Sequence, residues 1–231
     1  MKRKNLIFWI FVLFVISVIS WGLFVKSHRR LKRYITPFQI DVSKPVVALT
    51  FDDGPNPRYT PEILDLLYNE QINATFFIVG KNFKGNELII KEMMSSGHEI
   101  ENHTFSHPDL TNLDKYDIES EVSQVEKEIK KILPNYSMSY MRPPYGRYTE
   151  EIQSVISHPI MLWTLDSNDW QKISSNDIYN NVINNVKDGD IIVFHDNNQA
   201  TLDALKSIIS KLKDEQYQFV TISQLHNYKN N

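Results

Sequence analysis

The sequence predicts an α/β protein: a parallel sheet with helices outside it, open or closed into a barrel, preceded by one N-terminal transmembrane helix. Three observations carry this. From about Lys44 onward, short apolar runs of strand length alternate with amphipathic helical patterns, and such alternation returns each strand parallel to the last. The residues able to do chemistry fall just after those apolar runs rather than on helix faces. Ahead of them, Leu6 to Val25 is a stretch of 20 residues without a charge, long enough to cross a bilayer as a helix.

Lys2, Arg3 and Lys4 introduce that stretch. A cleaved signal peptide usually has a shorter apolar core, and only a weak small-residue site lies near Ser20, so an uncleaved anchor over 1–25 is the preferred reading. Five Lys/Arg follow in Lys26 to Arg33 against three before the span, and charge counting alone would leave the C-terminal side in the cytoplasm. Residues 26–43 read as a basic juxtamembrane stem, either resting on anionic headgroups or acting as a plain stop-transfer flank.

The remainder, 44–231, reads as one domain. Strands are expected at Val46 to Phe51, Ala74 to Val79, His98 to His103, Ser139 to Arg142, Ile160 to Leu165, Asp190 to His195 and Phe219 to Ile222, about seven in all. A helix should start at Thr60-Pro61, with Thr as N-cap and Pro at the first helical position. Gly97 suits the end of the helix holding Leu88, Ile89 and Met93. Ile118, Val122, Val125, Ile129 and Ile132 share one helical face, and Pro134 stops that helix. Further helices fit Tyr148 to Ser157, Ile178 to Val186 and Thr201 to Lys213.

Composition excludes several functions. The 231 residues contain no cysteine, so disulfides, thiolate metal sites and a thiol nucleophile are ruled out. Residues 1–33 hold eight Lys/Arg and no acid, which leaves 17 Lys/Arg against 28 Asp/Glu beyond them, a formal charge of −11. Such a domain repels nucleic acid, whose binding needs Lys/Arg on phosphate. No obligate protein partner is evident.

The polar residues fall at C-terminal strand ends: Asp52-Asp53, His103 to His107, Arg142 to Gly146, Asp166 to Trp170, and His195-Asp196. In a β/α barrel those ends form one face, where distant segments meet. The stretch His103 to His107 precedes Pro108, so an extended-to-turn path suits it better than a helix. Joined by Asp53, the two imidazoles would make a two-His-one-carboxylate set with open positions for water and substrate.

With these residues in place the chain resembles the polysaccharide deacetylases, a carbohydrate esterase family that includes chitin, chitooligosaccharide and peptidoglycan N-acetylglucosamine deacetylases. The matching motifs, in order, are TFDDGPNP, GHEIENHTFSHPDL, RPPYG, DSNDW and IIVFHD. The resemblance implies a distorted (β/α) barrel, one divalent cation (Zn, with Co or Ni acceptable to the same donors), and hydrolysis of an acetamide on an N-acetylated polysaccharide such as peptidoglycan.

It also implies roles. Asp53, His103 and His107 would bind the cation, and Asp52 would be the general base, oriented and kept ionised by Arg142. The backbone N–H of Tyr145 would stabilise the oxyanion, following Pro143 and Pro144, which cannot donate. His195 would be the general acid, held protonated by Asp169. Pro144, Tyr145, Trp170 and Val193 are expected against the substrate, although Trp170 could equally pack in the core.

Two positions depart from the pattern. Val193 stands where Leu is usual beside the acetyl-methyl pocket, which should loosen that pocket slightly. Glu101 stands where Gly is frequent, and is expected to bond a metal histidine or face solvent rather than reach the ion.

Family members that act on wall polymers work outside the cytoplasmic membrane. The resemblance therefore favours a single-pass membrane protein with its catalytic domain external, against the charge count. Alternatives to an N-deacetylase are a polysaccharide O-acetyl esterase and a membrane-tethered glycan-binding protein with a dead site.

Overall fold

The computed structural model describes Leu13, Ser17 and residues 39–229. Apart from Leu13 and Ser17, the expected anchor falls outside the described residues, as does most of the stem. Among the described residues no helix is long and apolar enough to cross a membrane.

The fold is α/β with a parallel sheet. Its strands are β1 (Val46–Asp52), β2 (Thr75–Ile78), β3 (Glu99–Asn102), β4 (Leu165–Asp166), β5 (Asp190–His195) and β6 (Gln218–Phe219). The order is β3-β2-β1-β5-β4, with β6 also paired to β1, and every pairing is parallel. The helices are α1 (Tyr59–Glu70), α2 (Glu87–Ser95), α3 (Lys115–Ile132), α4 (Glu150–Val155), α5 (Ser175–Asn185), α6 (Gln199–Asp214) and α7 (Ile222–Lys229).

All seven residues of β1 are buried, as a parallel strand covered on both faces requires. Alternate residues serve two different cores. Val47, Leu49 and Phe51 join Phe76, Ile100, Ile192 and Phe194 in the core shared with the helices. Val46 and Ala48 instead meet Phe77, Tyr140, Ile191 and Val220 on the inner face. This period of two decides which residues reach the site, because Thr50, Asp52, Glu101, Val193 and His195 share the inner face by register.

Among the described residues six strands form, not seven. Ser139 to Arg142 is reduced to isolated bridges of Met141 with Asn102 and with Ile160. The ladder fails for a local reason: the N–H groups of Ser139 and Tyr140 are taken by the Glu101 side chain, and Pro143-Pro144 ends the segment. The run Ile160 to Leu165 likewise shortens to β4, since the carbonyls of Met161 and Leu162 accept from the Arg142 guanidinium. The bridges nevertheless carry backbone pairing from β3 through Met141 to Ile160, a barrel-like circuit back towards β4 and β5.

Two helix-end signals match the observed limits, while the expected helices at Tyr148 to Ser157, Ile178 to Val186 and Thr201 to Lys213 form as Glu150–Val155, Ser175–Asn185 and Gln199–Asp214. Gly97 adopts φ 84° just past α2, and α3 ends at Ile132, two residues before Pro134. Thr60, however, is not the N-cap of α1. The helix starts at Tyr59, and Asn56 Oδ1 accepts from the N–H groups of Arg58 and Tyr59. The Thr60 hydroxyl accepts from the Asn56 N–H and donates to Asp196, so it ties the turn after β1 to the end of β5.

Candidate metal and catalytic site

Asp53 leaves β1 with φ 73°, a left-handed conformation that Asp tolerates better than most residues. The turn redirects its side chain from the strand towards His103 and His107. The His103 to His107 segment is itself a turn, with Thr104 and His107 both at φ 65°, as its sequence suggests.

Asp53 Oδ1 lies 3.1 Å from His107 Nε2 and 3.6 Å from His103 Nε2. One donor atom from each of the three residues falls within 4.8 Å of the others. A tetrahedral ion with bonds of ~2.1 Å needs donor separations of about 3.4 Å, so the set fits a small divalent cation. His103 is buried, and its Nδ1 lies 2.7 Å from the Arg142 carbonyl. Donation of the Nδ1 proton to that carbonyl leaves the Nε2 lone pair for a metal. Burial lowers the pKa of His103, which favours the neutral, ligating form. Burial pushes Asp53 upward, but the hydrogen bond from His107 and the charges of His103, His195 and His107 outweigh it and hold Asp53 at about 2.

Asp52 is the next inward residue after Thr50 and is 3% exposed. Its Oδ1 accepts from Arg142 Nη1 at 2.6 Å. Arg142 is fully buried. It also donates to Thr50 Oγ1 at 2.9 Å, the Met161 carbonyl at 3.0 Å and the Leu162 carbonyl at 3.3 Å. Its guanidinium lies 3.9 Å from the Phe77 ring centroid. This many fixed contacts hold a buried cation in one place, which point attraction alone does not do.

On the other side stands His195, opposite Asp52 in the β1–β5 register. Its Nδ1 is 2.7 Å from Asp169 Oδ1, and its N–H donates to Asp169 Oδ2 at 2.8 Å. Thr201 Oγ1 donates to the same Oδ2 at 2.7 Å. Burial works against a charged imidazole, but the hydrogen bond and negative charge of Asp169 prevail and raise His195 to about 9.

These groups share a cavity of about 810 Å³. Tyr145, Trp170 and Val193 line it as expected, and the Tyr145 ring meets the His107 ring at 4.9 Å between centroids. Trp170 is 57% exposed, so it belongs to the cavity wall and not to the core. Pro144 is a correction: it is buried and does not line the cavity. Glu101 is a second correction: at 2% exposure it faces no solvent, and its Oε2 accepts from Ser139 N–H at 2.7 Å and Tyr140 N–H at 2.8 Å. Burial raises its pKa to about 8.

Several contributors were not visible in sequence. Thr50 and Thr201 support Arg142 and Asp169 through side-chain bonds across elements, and a lone threonine carries no pattern that announces this. Asp166 Oδ2 accepts from Trp170 Nε1 at 3.2 Å, fixing the indole. Its position four residues before Trp170, in the same motif, was the available signal. Arg147 and Lys172 add positive charge to a cavity lined by Asp52, Asp53, Asp166 and Asp169.

Residues 39–161, more than half of the chain, match the family model described as polysaccharide deacetylase. The chain belongs to the polysaccharide deacetylase family. Its relatives include the peptidoglycan-N-acetylmuramic acid deacetylase PdaC of Bacillus subtilis, 38% identical over 82% of this chain and 40% of that protein. This chain therefore spans about two fifths of that relative's length. A peptidoglycan-N-acetylglucosamine deacetylase of Bacillus cereus is 36% identical over 84% of this chain and 73% of its own. The solved structure of the B. subtilis deacetylase superposes with a TM-score of 0.80, covering 83% of this chain and 94% of that one. A family 4 acetyl xylan esterase from Clostridium thermocellum, crystallised with cobalt, gives 0.76 at 33% identity, covering 80% of this chain and 92% of that one.

Proposed function

We propose that this chain is a metal-dependent deacetylase that hydrolyses the N-acetyl group of N-acetylglucosamine units in a cell-wall glycan, with peptidoglycan as the substrate class. The observation that carries the reading is one cavity in which the Asp53–His103–His107 donor set lies between two differently prepared groups, Asp52 on Arg142 and His195 on Asp169. Both curated relatives described above are named for deacetylating peptidoglycan amino sugars.

Asp53, His103 and His107 would hold the ion, with zinc, cobalt or nickel all suited to imidazole and carboxylate donors. Bound there, it supplies Lewis-acid polarisation of the amide carbonyl and of water. Asp52, held by the Arg142 guanidinium, takes a proton from the attacking water as oxygen adds to the acetyl carbon. The Tyr145 N–H is assigned to the developing oxyanion, in a loop whose Gly146 and Arg147 N–H groups are already bonded to the Pro143 and Pro144 carbonyls. The carbon–nitrogen bond then breaks while His195 gives its proton to the leaving nitrogen. The products are acetate and a free amino sugar. Val193 and Trp170 shape the cavity around the acetyl group and the sugar.

Acetate release by the metal-loaded protein tests this. Peptidoglycan and chitooligosaccharides should be turned over well, and acetylated xylan poorly. The similarity to an acetyl xylan esterase favours a second reading, removal of O-acetyl groups with the same machinery, and faster release from xylan would establish it instead.

The reading extends to location. A single-pass anchor over 1–25 and a stem over 26–43 would hold the domain outside the cytoplasmic membrane, beside its substrate; the uncharged 20-residue stretch supports this. Protease added to intact cells should then cleave the domain, and full protection would reverse the orientation.

A further inference from the structure

We propose that Glu101 is a positioning residue for the catalytic centre: from β3 it holds the backbone just ahead of Arg142 and so sets the guanidinium on Asp52 and the carbonyl on His103. The inference rests on the metal-site reading above. Glu101 and His103 point to the same face two residues apart, and they grip opposite ends of one four-residue segment. Glu101 Oε2 accepts from the N–H groups of Ser139 and Tyr140, while His103 Nδ1 meets the Arg142 carbonyl. Between these grips, Asn102 N–H donates to the Tyr140 carbonyl and Arg142 N–H to the Asn102 carbonyl.

The segment is not a strand and holds only the bridges at Met141, so the side chain supplies the two backbone bonds that a ladder would otherwise make. A shift at Ser139–Tyr140 passes directly to Arg142, whose carbonyl fixes the His103 ring and whose guanidinium fixes Asp52. Glu101 does not line the cavity, so substrate affinity should not depend on it. The N–H groups of Ser139 and Tyr140 depend on the Glu101 carboxyl group.

The test titrates Zn²⁺ alone into the metal-stripped full-length chain by calorimetry and measures acetate release beside it. Glu101→Met keeps the length without an acceptor. It should weaken Zn²⁺ binding about tenfold at an unchanged one site per chain, the size usual for groups behind a ligand. It should also lower kcat at least about tenfold with KM within about twofold. Glu101→Gln, still an acceptor, should restore both. Ser139→Pro, at an exposed residue, removes one of the two donors. It should shift both quantities in the same direction by less, and it decides the matter if Glu101→Met does not fold. Wild-type Zn²⁺ affinity and kcat in these variants, or fewer sites per chain at unchanged affinity, would overturn the role. No Zn²⁺ binding by the wild-type chain would overturn the metal-site reading itself.

Discussion

His195 and Asp169 are joined twice, through the imidazole Nδ1 at 2.7 Å and through the His195 backbone N–H at 2.8 Å. The two hydrogen bonds together fix both the charge and the direction of the ring. With its pKa raised to about 9, His195 is protonated at neutral pH and loses its proton as pH rises through that value. The alkaline limb of kcat/KM should therefore lie near pH 9. In Asp169→Asn the anion is gone while burial still opposes charge, so the limb should move down by at least about two units. An unmoved limb would take the proton away from His195. Stability has the same sign: the raised pKa contributes stability that is full below about 6.5 and lost as pH rises through about 9.

Asp52 and Asp53 are neighbours with different partners, which separates their variants. Asp53→Ala removes a donor from the metal set and should weaken Zn²⁺ binding by about a hundredfold or more in a calorimetric titration. Asp52→Asn should bind the ion within a few-fold of wild type and lose about 10²- to 10⁴-fold in kcat, the usual worth of a general base. Chelation should silence the wild type, and added Zn²⁺ or Co²⁺ should restore it.

Arg142→Lys is not a conservative change here. A single ammonium cannot reach Asp52, Thr50 and two backbone carbonyls together, so buried acceptors lose their donors. Unfolding in denaturant should show a loss of about 2–4 kcal/mol, together with a fall in kcat. Unchanged stability would mean that the network adds nothing beyond the ion pair.

Gly146 follows Tyr145 with φ 66°, and a Cβ there would stand 2.8 Å from the Trp163 ring. Gly146→Ala combines unfavourable backbone with a clash against an aromatic wall. It should cost about 1–3 kcal/mol in a thermal or denaturant melt and reduce turnover by displacing the Tyr145 loop.

Much of the site was legible because its chemistry sits in short ordered motifs. Asp53, His103 and His107, and the hydrogen-bonded pairs Asp52–Arg142 and His195–Asp169, all lie in those motifs, and the structure brings each group together. Strands β1 and β5 were legible too, since continuous apolar runs in a parallel sheet leave little alternative. The short strands were less so. Ser139 to Arg142 has strand composition, but its N–H groups face a buried carboxylate, and the carbonyls after Ile160 face a buried guanidinium. Side chains there replace ladder bonds, and no periodicity reports that. No pattern in the sequence separates a solvent-facing Glu101 from one buried on two backbone N–H groups, and the adjacency of Pro144 to Tyr145 says nothing about direction.

By itself, then, the sequence determined the α/β class, the ordering of five chemical segments at strand ends, and the residue types able to bind a cation and move protons. These follow from local patterns: apolar runs, turn formers, and donors spaced along the chain. Only the tertiary structure decided which face of each strand those residues share, that Asp53 turns out of β1 towards two imidazoles, and that Glu101 and Arg142 exchange ladder bonds for side-chain bonds. Such choices depend on register between strands tens of residues apart and on burial, which a linear pattern does not contain.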